Sequence, residues 1–354
     1  GIMAIAINIG NIWSTYEYSH YTIRGDSELM DKTGAVNSGL DKEYATAWSY
    51  GKIETFNMLF PNFVGGSSHS VLSENSNIYQ ALRKNGVSKK DSREFIQSVP
   101  LYFGPQSFTS GPVYIGAIVW FLFLISFFAI KKPVKWIWLL LILFALILAW
   151  GKYFPIVTNF FLEYVPLYNK FRTVSMILII AQFAIPALAL IGFNYFIHSD
   201  LTNYVKKKII LKSALFLIIT SVFFLLFGNL LFNFQGMMDS QFPNWFIQAL
   251  VQDRMYLFKM DIVRSLFFIC AAAVLVFYFL FQKKYNNNLY WIYGLILLVI
   301  ADMWFVNKRY LNSNDFVNTS AVEKPFNAQL FDKTIKQDTT IYRVYNLNER
   351  IDQG

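Results

Sequence analysis

Apolar stretches long enough to cross a lipid bilayer alternate along this chain with one long polar segment and several short loops, a pattern that restricts it to a polytopic membrane fold. About 30 Å of hydrocarbon takes about 20 residues of helix at 1.5 Å each. Stretches 113–130, 136–150, 174–197, 213–234, 265–281 and 289–306 reach or approach that length and predict six spans. The apolar run 1–13 has neither a basic leader nor a cleavage site, so it reads as the outer end of a seventh helix rather than a signal peptide. The expected fold class is an all-α polytopic membrane helix bundle of about seven transmembrane helices with a mostly helical extracytoplasmic loop domain. The strand-like run 340–347 reads as the start of an outer β-type domain, and both abrupt ends as those of a fragment of a longer protein.

Hydrophobic residues at 55% and charged residues at 15% leave too little polar surface for a soluble domain of this length, so lipid must cover part of it. The formal charge of +9 does not point to nucleic acid, because nine lysines fall in three short loops. These are Lys131, Lys132 and Lys135; Lys206, Lys207, Lys208 and Lys212; Lys283 and Lys284. The positive-inside rule makes those loops cytoplasmic and places 14–112, the loops 151–173 and 235–264, and the tail after Lys308 outside. The expected organisation is therefore a truncated helix end at 1–13, an extracytoplasmic loop domain at 14–112, six spans within 113–306, and the start of an outer soluble domain at 307–354. Such a layout predicts a multi-pass membrane protein with the bilayer as its first partner. Trp120, Trp136, Trp138, Trp150, Tyr153, Trp291 and Trp304 fall near span ends, as an interfacial belt requires.

The segment 14–112 is too long for a simple connection and too aromatic for disorder. Between 42 and 60, Ala45, Trp48, Ile53, Phe56, Leu59 and Phe60 recur at roughly helical spacing, predicting an amphipathic helix on the outer leaflet with Gly51 as its weak point. Gly65 and Gly66 lack the lysine and strand-to-helix context of a phosphate loop and read as turn punctuation. Residues 73–98 are polar, helix-competent and of mixed charge, as a solvated cap would be.

Ionisable residues crowd the outer rim: Glu17, His20, Arg24, Asp26 and Glu28, then Glu163, Lys170 and Arg172. Charges near lipid are costly unless paired or functional, and paired acids and bases could hold a phosphate while a carboxylate takes a proton. Deep in a span stands Asp302, with Lys308 and Arg309 as possible partners, while Asp261 and Arg264 are spaced for a local pair. Three scattered histidines, His20, His69 and His198, form no zinc motif, and the lone Cys270 offers no cysteine metal site, so no metal ligands are assigned.

Four stretches resemble the YfhO-like bacterial membrane proteins, particularly those of Bacteroidota: GLDKEYATAWSYGKIETFNMLFPNFVGGSS at 39–68, GPVYIGA at 111–117, PLYNKFRTVSM at 166–176 and DMWFVNKRYL at 302–311. The resemblance implies the GT-C superfamily of membrane glycosyltransferases, which transfer a sugar with inversion from a polyprenyl-phosphate donor to a glycan or lipid acceptor. It implies that the catalytic base lies in an earlier outer loop, so the catalytic residue is unknown here. Only analogy suggests a divalent metal cofactor. Arg24 and Arg172 are then the candidates for the donor phosphate, because guanidinium forks match phosphate oxygens. Tyr44, Trp48 and Tyr50 are candidates for stacking on a sugar or lining a lipid groove, and Asp41 and Glu54 for binding sugar hydroxyls. A transporter or flippase for a lipid-linked glycan is the rival, with Gln182, Pro186, Gly228, Asn229 and Asp302 as its thin polar path, and a non-catalytic component of envelope biogenesis is a third reading.

Overall fold

A computed structural model of the chain describes residues 2–19, 21–22, 40–166, 168–281, 290–323, 330–338 and 340. Two units partition it, 1–310 and 311–354. The first contains helices α1 (Ile2–Ile7), α2 (Ile9–Ser19), α3 (Lys42–Ala45), α4 (Asn77–Lys84), α5 (Lys89–Phe95), α6 (Ala117–Ala129) and α7 (Val134–Ala149). It continues with α8 (Pro155–Tyr164), α9 (Leu178–His198), α10 (Asn203–Leu231), α11 (Asn244–Phe281) and α12 (Tyr290–Tyr310). The second has two short helices, α13 (Thr319–Glu323) and α14 (Leu330–Ile335). Among the described residues the only β pairing is an isolated bridge between Ser70 and Val99. All of the expected β run except Thr340 lies outside the described residues.

Four helices are long and apolar enough to cross a membrane: Val174–His198, Asn203–Leu231, Asn244–Tyr278 and Tyr290–Tyr310. The six complete spans expected from hydropathy therefore reduce to four of that length plus two shorter apolar helices, α6 and α7. The first shortfall has a local cause. Gly116 adopts φ +111°, a conformation open to glycine, so the chain from 113 stays non-helical and α6 starts only at Ala117. At 13 residues α6 measures about 20 Å, and at 16 residues α7 about 24 Å.

Small residues bring α6 and α9 together. A side chain at Gly192 of α9 would collide with Ser126 of α6, whose hydroxyl donates to the Ala189 carbonyl at 2.9 Å. Backbones that approach this closely gain dispersion contact where no hydrophobic drive separates helix from lipid. The expected outer loop 235–264 is instead largely helical, because α11 runs 38 residues, about 57 Å, without a break.

Two ends of the bundle differ in charge. At one end the α6–α7 and α9–α10 corners converge: Lys135 donates to the Phe127 carbonyl at 3.1 Å, and the Lys212 ammonium lies 4.2 Å from the ring centroid of Phe128. At the other end segment 40–116 folds over the helix ends. Tyr50 N–H donates to the Ala149 carbonyl at 2.8 Å, and Lys152 N–H to the Ser49 hydroxyl at 2.9 Å.

The amphipathic helix expected over 42–60 is not formed. Only α3 and a 3₁₀ turn at Ile53–Met58 are helical, joined by a loop in which Ser49 and Tyr50 are buried. Gly51 packs against Pro105 so closely that any Cβ would fall 2.7 Å from its ring, which leaves no room for a continuous amphipathic face. Instead Phe60 and Phe63 sink into an aromatic core with Phe224, Phe232 and Phe258 of the bundle. The stretch 73–98 is likewise anchored: Ile78, Leu82 and Ile96 pack on Phe246 and Leu250 of α11.

Candidate functional site

Glu54 stands at the start of the 3₁₀ turn, 2% exposed, with its carboxylate aimed at three donors rather than at a cation. Gly51 N–H donates to one oxygen at 3.0 Å; the Tyr102 hydroxyl, at 3.0 Å, and the Gln106 amide, at 2.7 Å, donate to the other. Burial pushes the carboxyl up from 4.5 to about 7, and the three hydrogen bonds only partly oppose it. Burial, followed by the charge of Glu54, raises the Tyr102 hydroxyl as well. Glu54 lines a cavity of about 440 Å³. Three segments between α-helices wall it: the loop at 103–105, Tyr153 in the 3₁₀ turn after α7, and Asn233, Gln235 and Met237 between α10 and α11.

The other buried carboxylates have different company. Asp239 forms a salt bridge with Arg254, itself 1% exposed and further held by the carbonyls of Pro100, Leu101, Tyr102 and Phe234. Asp253 accepts from Asn77 N–H and Ile78 N–H, each at 2.9 Å, and so caps α4 from a different helix. Asp302 accepts from the Tyr114 hydroxyl at 2.7 Å and from Ala117 N–H at 2.9 Å, and pairs with Arg264 at 2.9 Å. Asp261 receives a two-pronged contact from Arg309, both prongs at 2.7 Å, and a third bond from Asn62 N–H at 3.0 Å. Among the described residues, Glu54 is thus the buried carboxylate with neither a basic side chain nor an α-helix N-terminus to balance it. A carboxylate so placed can take a proton or accept a substrate hydroxyl near neutral pH.

These contacts correct two pairings expected from spacing. Asp302 is paired by Arg264, not by Lys308 or Arg309, and Asp261 is paired by Arg309, not by Arg264. Both acid–base residues of α11 reach across to α12, because a partner on a facing helix replaces water on a flank that their own helix cannot fill.

Of the other expected site residues, three come together. The Arg172 guanidinium donates to the Tyr44 hydroxyl at 2.6 Å and lies 5.3 Å from the Tyr44 ring and 5.2 Å from the Trp48 ring. Trp48 in turn donates to the Phe108 carbonyl at 3.3 Å and meets the Phe108 ring edge-on. This is an exposed cation–aromatic cluster able to meet a flat or anionic group. Asp41 caps α3 through bonds from Glu43 and Tyr44 N–H, which accounts for it locally. Tyr50 is 1% exposed, so it is a core ring rather than an open stacking platform. Arg24 lies outside the described residues, as do His20, Asp26 and Glu28.

Sequence reading singled out Glu54 but missed Tyr102, Gln106, Tyr153, Asn233 and Gln235. They come from three separated stretches with no shared spacing, so only the fold assembles them with Glu54. The cavity supplies one carboxylate, and among the described residues no three His, Cys, Asp or Glu side chains converge as a metal ion needs, which does not fit the divalent metal suggested by analogy. No family model matches the chain, and no curated protein or solved structure matches it.

Proposed function

We propose that the chain is the membrane part of a GT-C-type transferase that moves a sugar from a polyprenyl-phosphate donor to an envelope glycan or lipid acceptor on the extracytoplasmic side of a bacterial inner membrane. Glu54 in its cavity carries this reading: an uncompensated carboxylate poised near neutral pH beside amide and phenol groups suits the binding and deprotonation of an acceptor hydroxyl. Gln106, Asn233 and Gln235 supply the kind of side chain that hydrogen-bonds sugar hydroxyls. Arg172, braced by Tyr44 and Trp48, offers a guanidinium to the donor phosphate. In this topology the lysine corners face the cytosol, and α6 and α7 complete the bundle as short spans beside the four long helices. A transporter is less well supported, since the intramembrane charges Asp302 and Asp261 are already engaged by Arg264 and Arg309.

The full-length protein in proteoliposomes, supplied with labelled polyprenyl-phosphate sugars, tests it. Wild type should release or transfer sugar with a rate that rises as pH passes about 7. Glu54→Gln should lower that rate by about a hundredfold or more while the protein stays folded. Folded wild type that is inert toward every donor would overturn the proposal.

A further inference from the structure

An open surface recess of about 670 Å³ runs along the outside of α10, lined by that helix alone and apart from the Glu54 cavity. One end is walled by Tyr204, Lys207, Lys208 and Lys212, and the body by Leu215, Phe216 and Ile219. Positions 204, 208, 211, 215 and 219 share one helix face, so a basic head and an apolar trough line up by spacing alone. From Lys208 to Ile219 is eleven residues, about 16 Å, which matches one leaflet of a bilayer whose hydrocarbon is about 30 Å thick. Phe216 and Ile219 also line a third cavity, of about 460 Å³, with Thr55, Phe56, Leu59 and Trp120, so the apolar face of α10 continues toward segment 40–116.

We infer that this groove binds an anionic phospholipid, its phosphate among the three lysines and one acyl chain along α10. Charge complementarity selects the occupant. No carboxylate among the described residues lines the groove, so a zwitterionic headgroup would set its own cation against three ammonium groups. The ammonium groups flank the groove, that of Lys212 4.2 Å from the Phe128 ring centroid on α6 and that of Lys207 5.8 Å from Phe277 on α11. Lys135 on the neighbouring corner adds to the same positive end. Lysines that only snorkelled to the interface would need no apolar trough below them.

Native mass spectrometry of the delipidated full-length protein, with added phosphatidylglycerol or phosphatidylcholine, decides the matter. Phosphatidylglycerol should bind about tenfold or more tightly than phosphatidylcholine. Combined Lys207→Ala, Lys208→Ala and Lys212→Ala should erase that preference, whereas the three Lys→Arg changes should keep it. Leu215→Trp, which blocks the trough and leaves the charges, should weaken retention of phosphatidylglycerol even if the alanine variant does not fold. Equal retention of the two lipids by wild type, undiminished binding by the folded alanine variant, or displacement by an equimolar polyprenyl phosphate would overturn the inference.

Discussion

A carboxyl group that titrates near 7 changes stability as well as chemistry. The folded state holds the Glu54 proton at pH values where the unfolded chain has released it, so folding is favoured below about 4.5 and loses free energy as pH rises to about 7. The full loss is about 3 kcal/mol, present above that window. Glu54→Gln removes the titration, and its melting temperature in detergent should fall less between pH 5 and 8 than that of wild type. Identical pH slopes for the two proteins would mean that Glu54 is charged in the fold at all these values. Legibility at this scale was partial. Glu54 could be named from its place in an aromatic, polar outer segment, but its lack of a counter-charge is a property of neighbours 48 and 52 positions away, Tyr102 and Gln106. Spacing also misassigned Asp261 and Arg264, because i, i+3 geometry permits a contact without compelling it when a facing helix offers a better one.

Among the elements, α4 shows how a polar segment is tied down. Its first turn donates not only to its own cap Ser76 but also to Asp253, a residue 176 positions away on α11. Asp253→Ala would leave the Asn77 and Ile78 amides and the Asn77 side chain without their acceptor, costing about 2–4 kcal/mol locally. Trypsin should then cut faster around Arg83, Lys84, Lys89 and Lys90, with the remaining chain intact; an unchanged cleavage rate would show that the apolar contacts of Ile78 and Leu82 suffice. The helical nature of 77–95 could be read from composition, and the four long helices from hydropathy. The 42–60 helix could not, since Ala45, Leu59 and Phe60 are buried while Ile53 and Phe56 stay exposed, and Pro105 closes on Gly51 between them.

For the molecule as a whole, the grouping of lysines at one end and of segment 40–116 at the other turns topology into a labelling experiment. In a Cys270→Ala background, a cysteine at the exposed position Lys90 should react with an impermeant maleimide in intact spheroplasts, and one at Lys208 only after lysis. The reverse pattern would place Glu54 and its cavity in the cytosol and remove the basis for lipid-linked sugar chemistry there. Charge distribution made the separation of the lysine corners from segment 40–116 visible in advance, because loop charge can be read without packing. The count of full-length spans was not visible, since hydropathy cannot register the positive φ of Gly116 that delays α6.

The crossed pairs on α11 and α12 have one last consequence. Asp261 and Arg264 sit one turn apart and grip partners two turns apart, Arg309 and Asp302, so sliding either helix by a single turn would break both clasps at once. The two helices are therefore clasped in one register, and any movement that keeps both pairs has to carry α11 and α12 together.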